Sequence, residues 1–239
     1  MNQRYALYYA PPPEEGLAVA ASQWLGWNPD TGRGRALPRV SGFDPERLAE
    51  IVAEPRLYGF HGTLKPPIAL VDGATERDFL DAVGRFAASY RTFSLPSLIL
   101  DELSGFLALV PAARCAELQD LADRCVVEFD EFRRPADEAE LARRRASGLS
   151  PRHDELLVRW GYPYVLDQWR FHLTLTGRIS DSSERRAVAT ILRQRFAAFL
   201  DRRFPVRDLC VFRQALAGRP FTVLARFTLG GGRRVSIEV

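Results

Sequence analysis

A chain of 239 residues with 46% hydrophobic and 26% charged side chains can bury a core for one large domain or two small lobes, which excludes global disorder. A formal net charge of +3 is far from the basic footprint of a dedicated nucleic-acid binder, although it suits a pocket for an anionic ligand. Three cysteines without a CxxC pair argue against a disulfide framework or a zinc knuckle, and no stretch approaches the ~20 apolar residues of a membrane helix. With no signal-peptide core in residues 1–10, the expectation is a soluble cytoplasmic protein with no membrane partner.

Residues 4–10 (RYALYYA) predict an aromatic-rich β-strand, stopped by Pro11, Pro12 and Pro13. Residues 14–25 have helical spacing, with Leu17, Ala20, Ala21, Trp24 and Leu25 on one face. Residues 28–43 read as a loop. Asp44 and Pro45 then offer an N-cap and a first helical residue for a short helix through residue 52. Residues 58–70 (YGFHGTLKPPIAL) are strand-like, with Pro66 and Pro67 marking an edge or irregularity. A helix over 75–90 follows, then a strand pair, 93–100 and 103–110.

The second half repeats this order. A strand is predicted over 169–179 (WRFHLTLTGRI), a helix over 183–200, and a strand pair over 204–215 and 221–229. His61 lies 44 positions before Gly105, and His172 lies 46 before Gly218. Strand, helix and hairpin thus occur twice at nearly equal lengths, each copy opened by Phe-His-x-Thr-Leu. The predicted class is α+β, a duplicated bilobal domain over 1–239 with two antiparallel sheets around a central cleft and helices outside. The lobes are expected over 1–111 and 161–239, joined by a helical, Arg-rich connector over 112–160. That connector is either a solvated spacer or a lid that brings arginine to an anionic substrate. The tail GGGRR (230–234) reads as a turn before a final strand over 235–239, and it lacks the Lys-Ser/Thr of a P-loop.

In a strand, alternate side chains share a face, so His61 with Thr63, and His172 with Thr174, point one way. The rule extends forward to Lys65, the only lysine, and to Thr176, and backward to Arg170. Two imidazoles suit phosphodiester chemistry, one taking a proton from the attacking oxygen and one giving a proton to the leaving oxygen. Thr63, Thr174 and Thr176 can hydrogen-bond phosphate oxygens while Lys65 and Arg170 offset their charge. Tyr58, Trp160, Tyr162, Tyr164 and Trp169 gather near the motifs as core and hinge packing more than as a base-stacking platform, with Tyr58 and Tyr162 as candidates for the substrate pocket. His153, in SPRHDELL (150–157), reads as a surface residue. No carboxylate shares the two motif strands, so no metal and no cofactor are expected.

These paired motifs resemble the 2H phosphoesterase superfamily, whose His-x-Thr/Ser elements sit in a bilobal duplicated fold. The segments YGFHGTLKPP (58–67), WGYPY (160–164) and FHLTLTG (171–177) look like a bacterial branch associated with phosphonate-utilisation operons. The resemblance implies a metal-independent phosphoric diester hydrolase acting by His61 and His172. Its partner would be a small phosphorylated metabolite or nucleotide, such as a ribose or nucleotide cyclic phosphate, with RNA disfavoured by the weak basic balance. The alternative is a non-catalytic protein that keeps the cleft to bind such a ligand. Which histidine is acid and which base, and the oligomeric state, stay open at the level of sequence.

Overall fold

Five of the seven α-helices among the described residues begin where a side chain takes up an otherwise orphaned backbone N–H. Asp44 accepts from the N–H of Glu46, and Pro45 follows at the first helical position. Thr75 and Asp78 form a reciprocal capping box. Asp137, Ser150 and Asp181 cap three later helices in the same way. The computed structural model describes residues 3–231 and 233–235.

The first half runs β1 (Arg4–Tyr9), α1 (Gly16–Leu25), the two-residue strands β2 (Trp27–Asn28) and β3 (Arg33–Gly34), α2 (Pro45–Arg56), β4 (Gly62–Ile68) and α3 (Glu76–Ser89). It ends with β5 (Phe93–Leu95), β6 (Leu98–Leu103) and β7 (Phe106–Pro111). The connector holds α4 (Ala116–Glu128), α5 (Glu138–Arg145) and α6 (Pro151–Trp160). The second half comprises β8 (Leu173–Thr174), α7 (Ser182–Phe196), β9 (Phe204–Val206), β10 (Asp208–Gln214), β11 (Thr222–Thr228) and β12 (Arg233–Val235). Of the final strand predicted over 235–239, residues 236–239 lie outside the described residues.

The class is α+β with antiparallel sheets, but the sheets do not follow the two halves of the sequence. The five-stranded sheet has the order β12-β11-β10-β1-β4 and the three-stranded one β6-β7-β8, beside the two-stranded pairs β2-β3 and β5-β9. The strand after His61 therefore lies with the hairpin of the second half, and the strand of His172 lies with the hairpin of the first. Helices stay behind: α3 packs on β10 and β11, and α7 on β6 and β7. Each predicted lobe, 1–111 and 161–239, thus gives its hairpin to the sheet that holds the other's motif strand. A repeat of strand, helix and hairpin reads the same in sequence whether each hairpin stays with its own copy or crosses to the other.

The crossing point keeps the symmetry of the repeat. β5 and β9, which lead into the exchanged hairpins, pair with each other around Ser94 and Pro205. Both residues lie 33 positions beyond their histidines (61 to 94 and 172 to 205). Phe93 pairs with Val206 and Leu95 with Phe204, as a two-fold axis through the central pair requires. Pro96 separates β5 from β6, so the single strand predicted over 93–100 is two.

The predicted strand over 169–179 shrinks to the two residues of β8. Past Thr174 the chain leaves the ladder, because the N–H groups of Leu175 and Thr176 converge on one carbonyl, that of Leu107, and Gly177 donates to Ile51 on α2. Before it, Trp169 turns inward and donates its indole N–H to the carbonyl of Thr63 at 2.9 Å. The motifs also touch through side chains: the buried Phe171 ring lies against the backbone of Gly62, where an added Cβ would fall 2.2 Å from a ring carbon. Gly62→Ala should accordingly destabilise the fold by about 1–3 kcal/mol, the cost of overpacking a core. That is a drop in Tm of roughly 2–4 °C per kcal/mol for a chain of this size, measurable by thermal melting.

Candidate active site

His61 and His172 meet in one cavity of about 490 Å³, lined from the β1–β4 side by Tyr8, Tyr58 and Thr63, and from the β7–β8 side by Phe106, Thr174 and Arg178. The two histidines are held by the same local device. His61 donates Nδ1–H to the carbonyl of Gly59 at 2.9 Å, and His172 donates Nδ1–H to the carbonyl of Arg170 at 2.9 Å. In each case the acceptor is two residues upstream. This assignment leaves both Nε2 atoms able to exchange a proton within the cavity. Gly59 has φ +72° and abuts Pro29, a conformation and a close approach that only glycine accepts without strain.

The surroundings of the two imidazoles differ. Tyr8 stacks on His61 with ring centroids 3.9 Å apart, and Tyr58 and Phe212 each lie 6.0 Å away. Burial pushes the His61 pKa down to about 4; the Gly59 carbonyl works in the opposite direction, and the nearby His172 lowers it further. Burial also lowers the pKa of His172, against the Arg170 carbonyl, with the Arg170 charge adding to the fall. The ring of Phe106 is 5.5 Å from His172. The Thr63 hydroxyl lies 3.3 Å from His61 Nε2, whereas the Thr174 hydroxyl has no protein partner among the described residues.

Of the residues assigned by alternation, three are placed otherwise. Lys65 is 2% exposed and turned away from the cavity, donating to the carbonyl of Val126 at 2.8 Å and facing Asp130 at 3.7 Å. The cause is a bulge in β4: Tyr8 pairs with Thr63 but Leu7 pairs with Lys65, so Leu64 is the extra residue and the alternation reverses after it. Burial lowers the Lys65 pKa to about 8, against the attraction of Asp130. Arg170 points outward to Asp101 at 2.7 Å and is 63% exposed, so it neutralises nothing in the cavity. Thr176 reaches the edge of the cavity, but it is fully buried and its hydroxyl oxygen accepts the N–H of Leu107.

Tyr58 and Tyr162 line the cavity. His153 stands apart, bonded to Ser150 and edge-on to Tyr164. Among the described residues no three His, Cys, Asp or Glu side chains gather as a metal site would require. None of their helices is long and apolar enough to cross a membrane.

A family model described as "Protein of unknown function (DUF1045)" matches residues 63–222, two thirds of the chain. The chain belongs to the DUF1045 family. Ribose 1,5-bisphosphate phosphokinase PhnN of Janthinobacterium sp. (strain Marseille) is 36% identical to it over 238 residues, 98% of this chain and 52% of that protein. The protein of the same name from Laribacter hongkongensis (strain HLHK9) is 35% identical over 220 residues, 91% of this chain and 50% of that one. The DUF1045 chain thus spans about half the length of the curated relatives it matches. Among solved structures, E. coli LigT in apo form has 16% identity and a TM-score of 0.46, over 96% of this chain and 98% of that one. E. coli LigT complexed with 3'-AMP has 15% identity and a TM-score of 0.43, over 96% and 99%.

Several cavity residues of the DUF1045 chain escaped the motif reading. Arg178 is on the same parity as His172, Thr174 and Thr176, one step further along, and its guanidinium has no protein partner among the described residues. Arg4, Glu54 and Arg144 come from β1, α2 and α5, and no local pattern places those elements beside the motifs. Lys65→Met gives a direct check of the bulge. It should lower stability by about 1–3 kcal/mol through the lost hydrogen bond to Val126, because Asp130 keeps its pairing with Arg133. Its salt dependence of ligand affinity should match that of the parent in a titration at two ionic strengths.

Proposed function

We propose that the DUF1045 chain is a metal-independent phosphodiesterase of the 2H type that opens a small cyclic phosphodiester by two-histidine acid/base catalysis. The observation that carries this reading is the matched pair of imidazoles, each fixed through Nδ1 and each presenting Nε2 to one cavity. His61, held more firmly neutral, takes a proton from water as its oxygen attacks phosphorus. The ester P–O bond breaks as the leaving oxygen receives the Nε2 proton of His172, and solvent resets both groups. The negative charge of the bound diester favours the imidazolium form of His172, which supplies that proton. Thr63, Thr174 and Arg178 offer donors and charge to the non-bridging oxygens as they gain charge. The name carried by the longer relatives, ribose 1,5-bisphosphate phosphokinase, fits a substrate built on ribose and a role in phosphonate metabolism.

Turnover of ribose and nucleotide cyclic phosphates should survive a chelator, since imidazoles and hydroxyls supply acid, base and anion stabilisation. Loss of activity on chelation, restored by zinc or manganese, would move the enzyme to metal-assisted hydrolysis. His61→Ala and His172→Ala should each lower kcat by about 10²–10⁴-fold, and the double variant should lose far less than the product of the two. Thr63→Val and Thr174→Val should cost on the order of 1–3 kcal/mol each. Arg178→Met should raise KM by a factor that shrinks as salt is raised. If none of the cyclic phosphates is turned over while the histidine variants bind them as the parent does, the protein is a binder and not an enzyme.

The pH profile tests the assignment of roles. Catalysis needs His61 neutral and His172 protonated, and both titrate below the ordinary 6.5 in the free protein. The bell for kcat/KM should therefore rise on its acid side through about pH 4 and fall on its alkaline side below pH 6.5, with both limbs belonging to the coupled pair. The bell for kcat should sit at higher pH, because bound diester favours imidazolium. An alkaline limb of kcat/KM above about pH 8 would assign the acid to a group other than His172.

A further inference from the structure

The histidine cavity continues past the catalytic groups. Its wall at Arg4, Pro66, Pro67 and Arg144 is shared with a smaller cavity of about 90 Å³, which Arg133 and Arg134 also line. Four arginines thus border the extension, and Glu140 is the single acid among its lining residues. Pro66 and Pro67 have no N–H to offer, so donors for a ligand at the passage come from guanidinium groups.

Arg4 and Arg144, the two arginines common to both cavities, are held in place yet not fully used. Arg4 spends Nε and Nη2 on Gln214, at 2.9 and 2.6 Å, which leaves Nη1. Arg144 gives Nη2 to Glu140 at 3.1 Å, lies 5.4 Å from the centre of the Tyr162 ring, and keeps a buried Nε with no hydrogen-bond partner. A guanidinium braced against an aromatic ring with donors to spare is ready to bind a tetrahedral oxyanion. A buried donor without a partner is costly, and a ligand oxygen relieves that cost. The two cavities together have the size of a small-molecule site and do not require a polymer.

We propose that Arg4 and Arg144 form a second anion subsite, so that the substrate carries a phosphomonoester in addition to the diester at the histidines, as a phosphorylated sugar cyclic phosphate does. This rests on the phosphodiesterase reading only for what lies at His61 and His172. Tyr58 and Tyr162, lining the same cavity, provide apolar faces for the sugar between the two phosphates.

Two measurements test the subsite separately from the chemistry. In the first, ribose 5-phosphate, which contains no diester, is titrated calorimetrically into the His61→Ala/His172→Ala variant. It should bind where ribose does not, and Arg144→Met should weaken it about 10–100-fold, the value of one charged hydrogen bond. In the second, kcat/KM is compared for a ribose cyclic phosphate with and without a 5-phosphate. The parent should favour the phosphorylated form, and the ratio should collapse toward one in Arg144→Met and in Arg4→Met, with thermal melts confirming that both variants fold. Ribose 5-phosphate binding that ignores both substitutions, or a ratio near one in the parent, overturns the subsite while leaving the phosphodiesterase intact. Binding that depends on Arg144 without turnover of either substrate supports the subsite and removes the phosphodiesterase reading. A preference for a nucleoside cyclic phosphate over both sugars assigns the tyrosines to a base and overturns the second phosphate.

Discussion

The Phe171 ring rests on the backbone of Gly62 at a place where a Cβ cannot fit, and the site depends on that contact. Gly62 directly follows His61, and Phe171 directly precedes His172. Their approach therefore sets how far apart the two imidazoles lie, and the Trp169 hydrogen bond to the Thr63 carbonyl fixes the sliding of one segment along the other. The contact also explains why the middle residue of the His-x-Thr motif differs between the copies. Where the first motif has Gly62, the second has the fully buried Leu173, which fills the core beneath β7 and β8. A strictly symmetric pair of leucines could not close the cleft, so one copy had to lose its side chain there.

Symmetry at the backbone coexists with asymmetry in the environment. Both histidines use the same i−2 carbonyl, but His61 sits under Tyr8 among aromatic rings while His172 has Phe106 beside it. Two chemically identical groups thus meet different neighbours, which in the proposed reaction lets one serve as base and the other as acid. The connector contributes to this site in a limited way. Arg124 is paired with Glu128, Arg133 with Asp130, Arg144 with Glu140, Arg145 with Asp154 and Arg152 with Glu155, so most of its positive charge is already matched within the connector. Arg144 is the member of its Arg143–Arg145 run that borders the cavity.

The meeting of His61 and His172 in one cavity was legible because the motif is local and repeated: Phe-His-x-Thr-Leu specifies a face and a strand without reference to the rest of the chain. The helix cap at Asp44 was legible for the same reason. What failed was extrapolation along the strand. Alternation placed Lys65 beside His61, and a single extra residue, Leu64, turned it into the core; in the second copy Arg178, on the parity of His172, still reaches the cavity although the ladder has ended. Sheet order was illegible for a different reason, since a repeat records the sequence of elements and is silent on which copy each hairpin joins. Arg4 and Arg144 reach the cavity only through that long-range order.

The crossing of the hairpins has a consequence for how the chain acquires its shape during synthesis. β1 and β4 are available early, but the strand that lies on the other side of β1 is β10, some two hundred residues from it in sequence. Until residues 208–228 leave the ribosome, the strand behind His61 belongs to a two-stranded ribbon, which is marginal in water. The His172 sheet faces no such delay, because β6 and β7 are already waiting when β8 emerges. The nascent chain must therefore hold aromatic surface from β1, including Tyr8 and Tyr9, exposed through most of its elongation, and pairing so distant in sequence is slow to form.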